Sequence, residues 1–124
     1  MAKKQIVEWF EVETAKTLAS NFTSTNIFTV KTVDNIGINI DCNNVTDNQG
    51  TFAVQHRLYK TDTYASEWAT LTLSSTPTLA DGDDTFLVSL NQLPPGQVRV
   101  KFTAAGGTPD GDCTIRISAT SVGG

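Results

Sequence analysis

Five stretches of this 124-residue chain carry an apolar residue at every second position. A run of that period fits a strand with one dry face and one wet face. Ile36, Ile38, Ile40 and Cys42 share a face, with Gly37, Asn39 and Asp41 opposite. Phe52, Val54, His56 and Leu58 form a second stripe, with Gln55 and Arg57 turned away. Phe86, Val88 and Leu90 form a third. Val98, Val100 and Phe102 alternate with outward Arg99 and Lys101. Cys113, Ile115, Ile117 and Ala119 alternate with Arg116 and Ser118. Strands of a parallel α/β sheet are covered on both faces and read as continuous apolar runs, so the alternation selects antiparallel sheets.

Turn chemistry separates the stretches. Asp34-Asn35, Asn43-Asn44, Asp47-Asn48-Gln49-Gly50, Asp81-Gly82, Pro94-Pro95-Gly96 and Asp110-Gly111 break the alternation with residues suited to tight turns. Less regular strands are expected over residues 27–33 and 66–73, and residues 6–12 have strand composition. The expectation is an all-β antiparallel sandwich of about eight strands, jelly-roll-like or Greek key, with the stripes of two sheets packed together.

The chain divides into residues 1–24, an N-terminal arm or edge strand, and residues 25–124, the sandwich domain. Ile6, Val7, Trp9, Phe10 and Val12 make the first segment apolar and aromatic. Such a segment either pairs with its own sheet or reaches a neighbouring molecule, and these five residues are the candidate arm interface.

Charge excludes one class of partner. Nine basic and thirteen acidic residues give a net charge of −4, with no basic stripe for nucleic acid. No stretch is long and apolar enough for a membrane helix. Glu8, Glu11 and Glu13 interrupt the N-terminal region, which argues against a signal peptide and for synthesis in a cytoplasm. Cys42 and Cys113 have no metal-type spacing and sit in phase with apolar neighbours. They read as buried thiols or, alternatively, as a disulfide.

No catalytic constellation emerges. His56 is the only histidine and lies on an apolar stripe, which suits a packed or rim residue. Asp81-Gly82-Asp83-Asp84 and Asp110-Gly111-Asp112 could place oxygen ligands at one end of a sandwich, but turns need the same residues and no EF-hand spacing exists. No metal, cofactor or enzymatic activity is expected. Tyr59, Tyr64 and Trp68 bracket the polar run Lys60-Thr61-Asp62-Thr63. They form either an exposed aromatic surface able to stack on a sugar or anchor an interface, or a lid closing the open end of the sandwich.

One resemblance spans about residues 15–124. Its parts are Ala15-Lys16-Thr17-Leu18, Asp34-Asn35-Ile36-Gly37-Ile38, Gly50-Thr51-Phe52-Ala53-Val54-Gln55 and Ser66-Glu67-Trp68. Asn91-Gln92-Leu93-Pro94-Pro95-Gly96-Gln97-Val98-Arg99-Val100-Lys101-Phe102 and the turn Gly106-Gly107-Thr108-Pro109-Asp110-Gly111 complete it. The pattern resembles small β-sandwich virion structural proteins of tailed phages. The resemblance implies a non-enzymatic particle protein, with capsid decoration or an auxiliary role ahead of a tail-associated one. It implies a major capsid or other virion protein as partner, homo-oligomerisation, and residence in the virion. The alternative is a tail- or fibre-associated carbohydrate- or receptor-binding module resting on the three aromatics.

Overall fold

The computed structural model describes residues 7–24, 27–30, 34–60 and 63–121. They form two antiparallel sheets. In the first, the strand order is β1 (Val7–Thr17), β11 (Asp112–Ser121), β4 (Asp34–Asn43) and β9 (Asp84–Leu93). In the second, β10 (Gly96–Gly107) and β5 (Asn48–Lys60) form the centre. On the flank of β10 lie β2 (Phe22–Thr23) and β3 (Phe28–Val30). On the flank of β5 lie β6 (Thr63–Tyr64), β7 (Ala69–Thr70) and β8 (Thr78–Ala80). The expected sandwich is present, with eleven strands among the described residues rather than about eight. The excess comes from marginal strands of two or three residues, too short to leave a periodic signal.

The alternating stripes face the opposing sheet, except at Leu58, which ends the second stripe and is 50% exposed. Ile36, Ile38, Ile40, Ile115 and Ile117 from the first sheet are at most 2% exposed, as are Phe52, Val54, Val98, Val100 and Phe102 from the second. Burying each such side chain contributes about 1.5–3 kcal/mol relative to water. Phe52 and Phe102 are cross-strand partners with ring centroids 4.9 Å apart. Phe22 joins Phe102 at 5.7 Å, and Phe86 reaches Phe52 from the first sheet at 6.0 Å. Gly50 makes room for this cluster, because a Cβ there would lie 2.6 Å from the Phe102 ring.

The chain changes sheet at both ends of the sandwich. The β4–β5 and β10–β11 connections cross at one end, and Pro94-Pro95 carries β9 into β10 at the other. At the first end, Asp110 accepts hydrogen bonds from the Thr46 amide and hydroxyl, and Asp47 accepts one from the Thr108 amide at 3.2 Å. Asp83 accepts from the Val45 amide at 2.8 Å, which brings in the β8–β9 turn.

Residues 1–24 are not wholly outside the sandwich. β1 pairs with β11 from Val7↔Thr120 to Thr17↔Asp112, and Val12 and Leu18 are fully buried. The register slips between Glu11 and Glu13 and again before Lys16, where Ala15 has a φ of 46°. The expected strand over 66–73 shrinks to Ala69–Thr70, and that over 27–33 to Phe28–Val30, with residues 31–33 outside the described set. The run Asp47-Asn48-Gln49-Gly50, read as a turn, instead opens β5 at Asn48, which is fully buried. Its Nδ2 donates to Leu18 O at 3.0 Å and Asp110 O at 2.7 Å, tying β1 to the β10–β11 turn.

Candidate functional site

The positions of β5 and β10 that alternate away from the core build the outer face of the second sheet. Their register sets Arg57 opposite Gln97 and Gln55 opposite Arg99. Arg57 Nε and Nη2 donate to Gln97 Oε1 at 2.8 and 2.5 Å, and Arg99 Nε donates to Gln55 Oε1 at 2.7 Å. Gln55 Nε2 in turn donates to Thr70 Oγ1 on β7 at 3.1 Å. A glutamine oxygen fixes a guanidinium without cancelling its charge. Among the described residues, neither arginine has a carboxylate at ion-pair distance, whereas Arg116 on the other sheet pairs with Glu11. Burial, reinforced by the neighbouring Arg57 charge, lowers the Arg99 pKa below its ordinary value.

Three aromatic rings complete the arrangement. The Trp68 ring centroid lies 4.2 Å from the Arg99 guanidinium carbon and 4.7 Å from that of Arg57. Arg57 also reaches the Tyr64 ring at 5.4 Å, and Tyr64 meets Tyr59 edge-on at 5.4 Å. The result is a strip running Tyr59, Tyr64, Arg57, Trp68, Arg99, with contacts inside the cation–π range. A groove of about 290 Å³ lies at its tyrosine end, lined by Thr29, Val30, Tyr59, Tyr64 and Pro95. The strip is an open surface, with Tyr59 at 48% exposure.

The aromatic set read from the sequence is thus brought together. Trp68 packs half-buried on the outer face of a sheet, not across the open end of the sandwich. Sequence reasoning turned Arg57 and Arg99 outward but did not join them to the aromatics. Their glutamine partners are 40 and 44 residues away, and only the β5–β10 register reveals them.

The N-terminal set separates. Val12 is fully buried in its own domain and is unavailable to a partner. Phe10 is 38% exposed and packs on Phe28 of the other sheet, with centroids 5.8 Å apart. Ile6 and the side chains of Val7 and Trp9 lie outside the described residues.

The remaining candidates have structural partners. His56 is 6% exposed and its Nε2 lies 3.1 Å from Pro94 O, which requires that nitrogen to carry a proton. Burial lowers its pKa, and the Pro94 carbonyl opposes that shift. The acidic turns do meet at one end, where Asp83, Asp110 and Asp112 accept hydrogen bonds from the β4–β5 turn. Among the described residues, no three histidine, cysteine or acidic side chains converge as metal ligands would. Cys42 and Cys113 are free thiols in directly paired positions on β4 and β11. Burial, then nearby negative charge, pushes both up to about 12.

No family model, no curated protein and no solved structure matches this chain. Fold and surface define its class: a two-sheet antiparallel β-sandwich with an aromatic–guanidinium strip on one outer face. No helix among the described residues is long and apolar enough to cross a membrane.

Proposed function

We propose that this chain is a non-enzymatic structural protein of a phage particle, a capsid decoration or auxiliary protein held by repeated protein–protein contacts. The supporting observation is the strip of Arg57, Arg99, Trp68, Tyr64 and Tyr59 on an open sheet face. Tryptophan, tyrosine and arginine dominate the energetic centres of protein interfaces. The cross-strand glutamines hold both guanidiniums in place before any partner arrives, which reduces the ordering cost of association. On a symmetric particle each contact repeats many times, so modest single-site affinity suffices for full occupancy.

Immunogold labelling of particles from the phage that encodes the chain tests this reading, with antibody raised to the purified protein. Gold over the head is expected. An absence of label on both intact and disrupted particles would refute it. For the strip, Trp68→Ala is expected to weaken attachment roughly 30-fold, the equivalent of about 2 kcal/mol at an interface centre.

A second reading is favoured by the groove beside Tyr59 and Tyr64. A tail- or fibre-associated module that stacks a sugar on these rings would use the same face. Gold confined to the tail, with glycan binding that Tyr59→Ala or Tyr64→Ala abolishes, would favour it over decoration.

A further inference from the structure

The margins of the two sheets are guarded unequally. An unpaired strand edge offers free amides and carbonyls to any other strand, and proteins blunt such edges with charge, irregularity or shortness. β1 carries Glu8, Glu11, Glu13 and Lys16 and two register shifts. The margins of the second sheet are strands of two or three residues. From Thr85 to Leu90 β9 has none of these devices, and its one irregularity is a bulge at Asn91 and Gln92, where Gln92 has a φ of 53°. The strand runs ten residues, its one charge is Asp84 at the start, and it contains no proline. Among the described residues it pairs with β4 alone. Leu87, on the outer face between Thr85 and Ser89, is 79% exposed.

We propose that β9 is a self-association edge, and that its partner is β9 of a second copy of this chain, paired antiparallel about a two-fold axis near Leu87. Charge argues for this occupant. Each copy carries a net charge of −4, so two copies repel over most approaches. Residues 85–93 are uncharged, so two copies meet along this edge with no like charges opposed. A second copy brings an edge equally long and equally free of charge. The two-fold sets Leu87 of one copy against Leu87 of the other, so that each shields part of the other from water. It also uses the same edge on each copy, so assembly closes at the dimer. The two four-stranded sheets become one of eight strands. Residues 72–75 line an open groove of about 310 Å³ with residues 87–91 and flank the edge. The inference rests on this edge alone and holds whether or not the protein belongs to a particle.

Sedimentation velocity on the full chain over the micromolar range tests it, with Leu87→Lys and Ser89→Lys as variants. The wild type is expected to be a dimer that dissociates on dilution. The lysine of Leu87→Lys, facing its like-charged copy, should raise the dissociation constant about tenfold or more, and Ser89→Lys, set against Thr85 of the other copy, should raise it by less, both leaving the melting temperature of the monomer unchanged. Amide exchange over residues 85–91 should slow as wild-type concentration rises. A wild type that stays monomeric throughout the range, or variants that dimerise as well as the wild type, would overturn the proposal.

Discussion

Replacing Asn48 by aspartate exchanges one amide nitrogen for an oxygen with almost no change in volume. In the native chain that nitrogen uses both of its hydrogens, on Leu18 O at 3.0 Å and Asp110 O at 2.7 Å. The residue is fully buried, and its Oδ1 has no hydrogen-bond partner among the described residues. A protonated aspartic acid supplies one hydrogen for two carbonyls. One bond is lost and one buried acceptor is left over, a cost of about 1–3 kcal/mol. An ionised aspartate is worse, because a buried charge then faces two carbonyl oxygens. The folded state therefore raises the new carboxyl's pKa above its unfolded value of about 3.9. For a raised acid, the folded state binds more protons than the unfolded state, so stability falls as pH rises above that value. The slope is about 1.4 kcal/mol per pH unit until the folded pKa is reached. Between pH 4 and pH 7 the loss approaches about 4 kcal/mol, a large part of the 5–15 kcal/mol typical of a domain. Urea unfolding at pH 4 and pH 7 measures it, taken as the difference from wild type at each pH so that other carboxylates cancel. Asn48→Ala is the control, with a deficit that does not change with pH. An Asn48→Asp deficit equal at the two pH values would refute the reasoning.

Three further outcomes are expected. The Thr46 hydroxyl, helped by the Thr46 and Asp47 amides, holds the Asp110 carboxyl below its ordinary value of 3.8. Its stabilisation is present above that pH and is lost as pH falls through the lowered value, so Asp110→Asn should flatten the acid limb of the stability curve; an unchanged limb would count against the bonds to the β4–β5 turn. Cys42 and Cys113, with pKa values pushed up to about 12, should both be silent to a thiol reagent in the folded chain and both react in denaturant. Reaction of either in the folded state would contradict their burial. At Gly96 a Cβ would lie 2.1 Å from the Arg57 carbonyl oxygen, so Gly96→Ala should cost about 1–3 kcal/mol through overpacking, read as a lower melting temperature; a melting temperature equal to wild type would show that the β5–β10 pairing is looser there.

The alternation of apolar residues was enough to fix which faces of β4, β5, β10 and β11 are dry, because a strand turns successive side chains to opposite sides whatever its neighbours are. It was also enough to put both cysteines inside and His56 on a packed stripe. What alternation cannot carry is register, because pairing joins residues distant in the chain. The Arg57–Gln97 and Arg99–Gln55 pairs that brace Trp68 exist only once β5 and β10 are aligned. Asn48 read as a turn residue by type, since asparagine is common in turns; its burial follows from two connections crossing at one end of the sandwich. The edge position of β9 is likewise a property of strand order, for its sequence alternates much as β4's does. Local periodicity thus determined the strands and their inward faces, while the recognition strip, the buried amide and the unguarded edge were decided by long-range pairing that only the tertiary structure contains.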